Sequence, residues 1–244
     1  MTEDTVPDIP RTRNSPMLPH LTVMQFRELE AVLRARGYDD MIEWSETVMP
    51  PTDARTFAKE AIYVICNSGM NFHTANGIYW KCLRALRGGH SSSMVFGHAG
   101  KTKAIDHIWI HRRVLFAAFE IAENKLAYCH TLPFIGDITK HHLAKNLGLD
   151  TIKPDVHLMR LARAERVSPM ALCARLAYQT DYRQSTIDSI LWRACADRYL
   201  ESSIYAAEGW DAATEKLREE LTLIDGKRLS AIARRPGDGV STNA

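Results

Sequence analysis

The apolar residues of this chain recur at the three- and four-residue spacing of amphipathic helices, and two-residue strand alternation is nearly absent. Capping residues mark predicted helix boundaries. Thr22 and Asp53 can each begin a helix, and Ser168 with Pro169 can begin another. Gly37 and Gly148 can end helices. A chain of 244 residues built this way is predicted to be all-α, with short helices in a compact bundle.

The pattern divides the chain into three parts. Residues 1–20 contain several prolines and are predicted to be a flexible leader, residues 21–225 a single helical domain, and residues 226–244 a flexible tail. Within the domain, helices are predicted over 21–37, from Asp53, over 72–86, from Lys101, over 138–148, over 156–166, from Ser168, from Thr186 and over 211–221.

Composition excludes several classes of protein. The net charge of +2 does not fit a polycation, so any contact with nucleic acid must come from a local patch. There is no apolar run long enough for a membrane helix and no signal-peptide core, which predicts a cytoplasmic protein with no membrane partner. The five cysteines are scattered and never spaced C-x-x-C, so no metal site is predicted and each is expected to be buried.

The most informative segment is residues 132–140, LPFIGDITK. Pro133 favours a tight turn, and Gly136 allows the next helix to begin with free backbone N–H groups. Such a helix start binds anions, and Thr139, Lys140 and Lys145 can strengthen a phosphate site. The alternative is a simple corner between two helices. His141 and His142 point to different sides of this helix, which favours solvent or phosphate contact over metal ligation.

The pattern L-P-x-I-G-x-x-T, followed after about sixteen residues by D-x-H at Asp155 and His157, resembles the helix–hairpin–helix (HhH-GPD) DNA glycosylase superfamily. The looser resemblance covers residues 57–200. It implies a helical fold of two lobes around a cleft, a hairpin that grips a DNA phosphate, and a monovalent cation at the hairpin carbonyls. It also implies an active-site carboxylate at Asp155, a residue that could equally cap the following helix. Asp188 is a second carboxylate candidate.

Two departures from the family pattern concern the reaction. Phe134 replaces the first hairpin glycine, and Ile138 stands where Schiff-base members carry lysine, so cleavage through an imine is not expected. With these departures the chain looks most like a phage-associated branch, the amino acid:DNA transferases, also described as α-glutamyl/putrescinyl thymine pyrophosphorylases. That resemblance implies replacement of the pyrophosphate on a 5-(pyrophosphoryloxymethyl)uracil by an amine.

The predicted site has three groups of residues. A polar break in an apolar helix is predicted either to line a base pocket or to be a kink between packed helices. The predicted catalytic residue is Asp155, the base-pocket residues are Asn67, Met70, Asn71, Phe72 and His73, and the DNA-binding residues are Phe134, Gly136, Ile138, Thr139, Lys140, Lys145 and His157.

Three functions remain open from the sequence. The first is the transferase, which flips a modified thymine and transfers an amino acid or polyamine amine to it. The second is a monofunctional base-excision glycosylase without lyase activity, and the third is a non-catalytic DNA-binding module. The expected partners are double-stranded DNA and a small amine donor, and the expected state is a monomer.

Overall fold

The computed structural model describes residues 20–233, with side chains through residue 225, and all regular secondary structure in this part of the chain is helical. This confirms the all-α prediction. The helices are α1 (Val23–Ala35), α2 (Asp39–Thr47), α3 (Ala54–Asn67), α4 (Phe72–Arg87), α5 (Ala99–Ile121), α6 (Lys125–Thr131), α7 (Thr139–Asn146), α8 (Val156–Ala164), α9 (Pro169–Thr180), α10 (Gln184–Ala196), α11 (Ser202–Glu208), α12 (Trp210–Ala213) and α13 (Glu215–Ala233). A short 3-10 helix (Ser92–Met94) lies between α4 and α5.

The predicted caps begin the helices expected of them. The Thr22 side chain accepts from the backbone N–H of Gln25 in a capping box. Asp53 accepts from two N–H groups at the start of α3, and Ser168 caps α9 with Pro169 in the first turn. Local side-chain chemistry therefore determines where these helices start.

Several parts of the chain differ from the sequence prediction, including α6 and α11, where no helix was predicted. Helix α2 was not expected, because its N-cap position, Tyr38, makes no side-chain cap and few of its residues are buried. The helix predicted over 211–221 is instead α12 and α13, separated at Thr214, whose hydroxyl donates to the Trp210 carbonyl. Helix α13 continues to Ala233, into the segment predicted as a tail. The rest of the predicted tail, and residues 1–19 of the predicted leader, lie outside the described residues.

The buried apolar residues form two clusters. The terminal cluster comes from both ends of the domain, α1 and α2 together with α8–α12 and the start of α13. The central cluster comes from the middle of the chain, α3–α7, where Phe57 of α3 packs against Phe116 and Phe119 of α5. The chain therefore crosses between the clusters twice, once between α2 and α3 and once between α7 and α8.

The two crossing segments touch at Gly148. Its φ is +82°, and a Cβ there would lie 2.6 Å from the backbone nitrogen of Pro50, so no side chain fits. Arg183 joins the same segments, donating to the carbonyls of Gly148 at 2.7 Å and Val48 at 3.3 Å. Gly148 ends α7 as predicted, and it also allows the close approach of the crossings.

Candidate functional site

A cavity of about 910 Å³ lies where the two clusters face each other, lined by residues of α2, α3, α4, α7 and α10. Its volume falls in the range of small-molecule and cofactor sites. Aromatic side chains dominate its apolar wall, which suits a planar ligand. These aromatic residues are Tyr38, Trp44, Tyr63, Phe72, Tyr79 and Trp192.

The predicted hairpin, residues 132–139, sits beside this cavity with its tip exposed to solvent. Leu132 and Ile135 are buried in the central cluster, whereas Gly136 and Ile138 are exposed. No side chain caps the N-terminus of α7. Within the turn, the Gly136 N–H donates to the Thr139 hydroxyl oxygen at 2.8 Å. An exposed turn leading into an uncapped helix start is the geometry that a phosphate contact needs.

Phe134 at the hairpin tip has φ +67°, in the left-handed region that favours glycine. This is the position at which the resemblance expects glycine, and Phe134 adopts the backbone conformation that glycine favours. The Phe134 ring packs at the start of α5, edge-to-face with His98 at 5.6 Å. A Cβ on Gly100 would lie 3.3 Å from that ring, so the small residue there makes room for it.

The two lysines predicted to strengthen a phosphate site have different surroundings. Lys140 pairs with the exposed carboxylate of Asp137 at 3.0 Å, next to the hairpin tip. Lys145 instead forms a buried ion pair with Asp188. Of these two cations, Lys140 is the one placed to reach a DNA backbone at the hairpin.

The predicted monovalent cation would need hairpin carbonyl oxygens. The Leu132 carbonyl accepts from the Ile135 N–H at 3.1 Å, and the Gly136 carbonyl accepts from the Lys140 N–H at 2.9 Å. A carbonyl oxygen has a second lone pair, so these bonds do not prevent ligation. The cation stays a prediction.

The predicted base pocket and the predicted hairpin meet at the cavity. Asn67, Met70 and Phe72 line it, together with Ile138 and Thr139. The polar break is a loop between α3 and α4, since α3 ends at Asn67 and α4 begins at Phe72. The other two predicted pocket residues are not among the lining residues: Asn71 caps α4 by accepting from the His73 N–H, and both side chains are exposed.

Asp155 and His157 lie apart from the cavity wall. The Asp155 carboxylate caps α8, accepting from the N–H groups of His157 at 3.0 Å and Leu158 at 3.1 Å. The imidazole of His157 lies 3.0 Å from the Ser202 hydroxyl of α11. Neither residue is among those that line the cavity. The catalytic role of Asp155 and the DNA contact of His157 stay predictions, and the cap predicted for Asp155 is present.

The carboxyl groups that line the cavity are those of Glu60 and Asp188. Asp188 accepts from the Lys145 ammonium and from the backbone N–H of Lys153 at 2.9 Å, so its charge is balanced. Glu60 has a single neutral donor, the Asn146 amide at 3.0 Å. Burial raises the pKa of Glu60. Of the two, Glu60 is better suited to take up a proton.

Positive and neutral nitrogen groups also line the cavity, at Arg193 and His142. The central guanidinium carbon of Arg193 lies 4.8 Å from the centre of the Tyr38 ring and 4.6 Å from that of Trp192. The Nε of Arg193 is buried and has no hydrogen-bond partner in the described part of the chain. Burial, and then the charges of Lys153 and Lys145, lower the pKa of His142 to about 3, so its imidazole is neutral at pH 7. An unpaired buried donor is unusual and fits a site that receives an anion or acceptor.

Sequence reasoning missed Glu60 and Arg193, and it predicted contact with solvent or phosphate for His142 without placing it in a pocket. A signal for Glu60 exists, because it lies on the same helical face as Phe57 and Val64, and a charge on an apolar face needs a partner or a function. Arg193 carries no comparable signal, and nothing in the local sequence of His142 shows that it faces a cavity. Their place in the cavity depends on how α7 and α10 meet.

Comparison with known protein families, characterised proteins and solved structures finds no match. Among residues 20–233, no helix has both the length and the apolarity needed to cross a bilayer. In the same residues, no group of three or more His, Cys, Asp or Glu side chains is placed to hold a metal ion.

Proposed function

We propose that the chain is a DNA base-modifying transferase with a two-lobed, helix–hairpin–helix glycosylase-like fold. It everts one modified thymine from duplex DNA into the cavity and transfers an amino acid or polyamine amine to its 5-methylene carbon. The observation that carries this proposal is the meeting of the exposed hairpin with the aromatic cavity, at Ile138 and Thr139. An enzyme that acts on one base needs both a backbone grip and a pocket beside it.

The walls of the cavity match the substrate in three respects. The aromatic side chains can stack on a uracil ring, and the Asn67 carboxamide can hydrogen-bond to a base edge. Lys153 and Arg193 supply positive charge for the diphosphate of the leaving group. The buried, unpaired Nε of Arg193 adds a donor already directed by the stacking of its guanidinium.

The transfer needs no covalent enzyme intermediate. The lone pair of the amine forms the new C–N bond, and the C–O bond breaks with its electron pair on the departing pyrophosphate. The amine nitrogen then loses one proton. Glu60 is the proposed acceptor, because it lines the cavity, its carboxylate forms no ion pair with any of the described residues, and its raised pKa makes it a stronger base. The enzyme otherwise acts by positioning and by stabilising the charge on the leaving group.

The alternatives make different products. A monofunctional glycosylase would also use a flipped base and an Ile138 that forms no imine, but it would leave an abasic site. A non-catalytic module would bind duplex DNA and leave it unchanged. The sharpest test incubates the full chain with a duplex carrying 5-(pyrophosphoryloxymethyl)uracil and an amine mixture, in parallel with duplexes carrying damaged bases, followed by digestion and mass spectrometry of nucleosides.

An aminoacyl- or polyamine-substituted thymidine supports the transferase. Abasic sites in the damaged duplexes support the glycosylase instead, and binding without any product supports the module. Glu60→Gln is expected to lower transfer by roughly 10²–10⁴-fold with unchanged DNA affinity, whereas Glu123→Gln, at an exposed glutamate, is the matched control. Asp155→Asn keeps a good helix cap. Loss of turnover in that variant alone would return the catalytic role to Asp155.

A further inference from the structure

Helix α5 carries an apolar stripe that packs against nothing in the described part of the chain. Ile110, Val114 and Ile121 are 68%, 72% and 84% exposed, and Ala117 between them is also exposed. These four residues, the α5 stripe, lie on the face opposite to Ile108, Phe116 and Phe119, which are buried in the central cluster. The longest of the described helices therefore buries one side and leaves an apolar seam on the other.

The spacing of the stripe is that of a helix-pairing seam. Its residues follow at intervals of four, three and four, which is the a/d repeat of helices that pack along their length. Single exposed apolar residues are ordinary, but a continuous line of them on one helix marks a surface that another molecule covers. The partner that fits such a seam is a helix with the same repeat.

The charges beside the stripe identify that helix. Arg113 and Glu120 are exposed and are seven residues apart, so they lie on the same flank of the seam. When two copies of α5 lie antiparallel about a twofold axis, Ile110 faces Ile121 of the other copy and Val114 faces Ala117. Arg113 then faces Glu120 of the other copy, and symmetry forms this pair twice. If the two copies of α5 were parallel, the flank that carries Arg113 and Glu120 would face the opposite flank of the other copy, and the Arg113–Glu120 pairs would not form.

We propose that the chain forms a homodimer through antiparallel pairing of the α5 stripe with that of a second copy. The dimer replaces the monomer expected from the sequence, and it does not depend on the proposed reaction. The residues of the stripe are absent from those that line the cavity, so pairing leaves the cavity of each copy open. A dimer built this way carries two hairpins and two cavities.

The test is sedimentation equilibrium of the full chain up to ~100 µM, because an interface of one helix pair is small and its affinity modest. We expect a concentration-dependent dimer that Val114→Glu abolishes. Arg113→Glu and Glu120→Arg each place like charges opposite one another and should weaken the dimer by at least ~10-fold. The double variant Arg113→Glu/Glu120→Arg restores the pairs and should restore the dimer. Tyr178→Glu, at a 93% exposed residue of α9, is the matched control and should have no effect.

Circular dichroism of each variant confirms that the helices remain formed, so that loss of the dimer is not loss of the fold. A chain that stays monomeric throughout the concentration range would overturn the proposal. A dimer that survives Val114→Glu would overturn it as well, since another surface would then hold it. A double variant no tighter than the single variants would exclude the antiparallel arrangement.

Discussion

Lys145 of α7 and Asp188 of α10 form an ion pair at the wall of the cavity, with only 12% and 3% of their side chains exposed. Asp188 also accepts from the backbone N–H of Lys153 at 2.9 Å, in the segment that leads to α8. One carboxylate thus joins α10 of the terminal cluster to α7 of the central cluster and to the crossing between them. The pair therefore links two helices that line the cavity.

Asp188→Asn should destabilise the fold by about 3–5 kcal/mol, because it leaves the buried Lys145 ammonium without its counter-charge. Urea unfolding followed by circular dichroism measures the change. The double variant Lys145→Met/Asp188→Leu removes both charges and should recover part of the loss. Lys140→Ala breaks the exposed pair with Asp137 and should change stability by less than about 1 kcal/mol. Equal losses in Asp188→Asn and the double variant would contradict this account.

The hairpin tip allows backbone strain to be separated from packing. Phe134→Ala loses the ring and keeps a Cβ at φ +67°, whereas Phe134→Gly loses the ring and relieves the strain. The glycine variant should therefore be more stable than the alanine variant by about 1 kcal/mol. Trp80 is exposed in the middle of α4 and serves as the comparison. There Trp80→Ala should be more stable than Trp80→Gly, since alanine is the better helix former. Chemical unfolding of the four variants gives both differences, and the same order at both positions would exclude strain at Phe134.

Local features of the fold could be predicted from the sequence, and the meeting of distant segments could not. Thr22, Asp53 and Ser168 begin helices as predicted, because a cap depends on residues two or three positions away. Helix α2 was missed because Tyr38 makes no cap. Gly148 was recognised as a helix end, but its contact with Pro50 depends on two segments that only the folded chain brings together.

At the candidate site, too, local features could be predicted from the sequence and contacts between distant segments could not. Asn67 and Phe72 were predicted from a polar break, and they do line the cavity beside Ile138. Glu60 and Arg193 line it as well, but nothing in their local sequence identifies their partners across helices. Asp155 was chosen from a resemblance, and its local role as the cap of α8 is the one that the structure contains.

His142 should make the stability of the folded chain depend on pH. Burial and the nearby lysines hold its pKa at about 3 in the folded chain, against 6.5 ordinarily. Between these values the unfolded chain binds a proton that the folded chain does not, so the free energy of unfolding falls as the pH drops below 6.5. By pH 5 the loss from this one group is at most about 2 kcal/mol.

His142→Gln removes this titration. The unfolding free energy of the parent minus that of the variant should therefore fall from pH 7 to pH 5. Measuring a difference cancels groups that titrate in both chains, including Glu60, whose raised pKa acts in the opposite direction. His73→Gln, the same substitution at an exposed histidine of α4, is the matched control. Parallel profiles for the parent and His142→Gln would mean that His142 has the same pKa in the folded and unfolded chains, which would contradict the lowered pKa.

Ile138 offers a gain-of-function test of the hairpin and the cavity together. It is 43% exposed, lines the cavity and lies two residues after Gly136, the place at which the resemblance expects a Schiff-base lysine. Ile138→Lys should bring an amine to a sugar held at the hairpin. With duplex DNA carrying an abasic site, that amine condenses with the aldehyde, releasing water, and borohydride reduces the imine to a stable amine. A covalent protein–DNA band is therefore expected for Ile138→Lys.

The parent chain should form little of this band, because isoleucine supplies no amine. Met24→Lys, at a 72% exposed residue of α1 outside the cavity, controls for the general reactivity of lysine with aldehydes. A band at least ~10-fold stronger for Ile138→Lys than for Met24→Lys corresponds to about 1.4 kcal/mol of positioning, which requires DNA to lie along the hairpin. Equal bands would mean that the abasic sugar does not reach the residue at 138, and the binding mode on which the transferase and glycosylase proposals both depend would then be wrong.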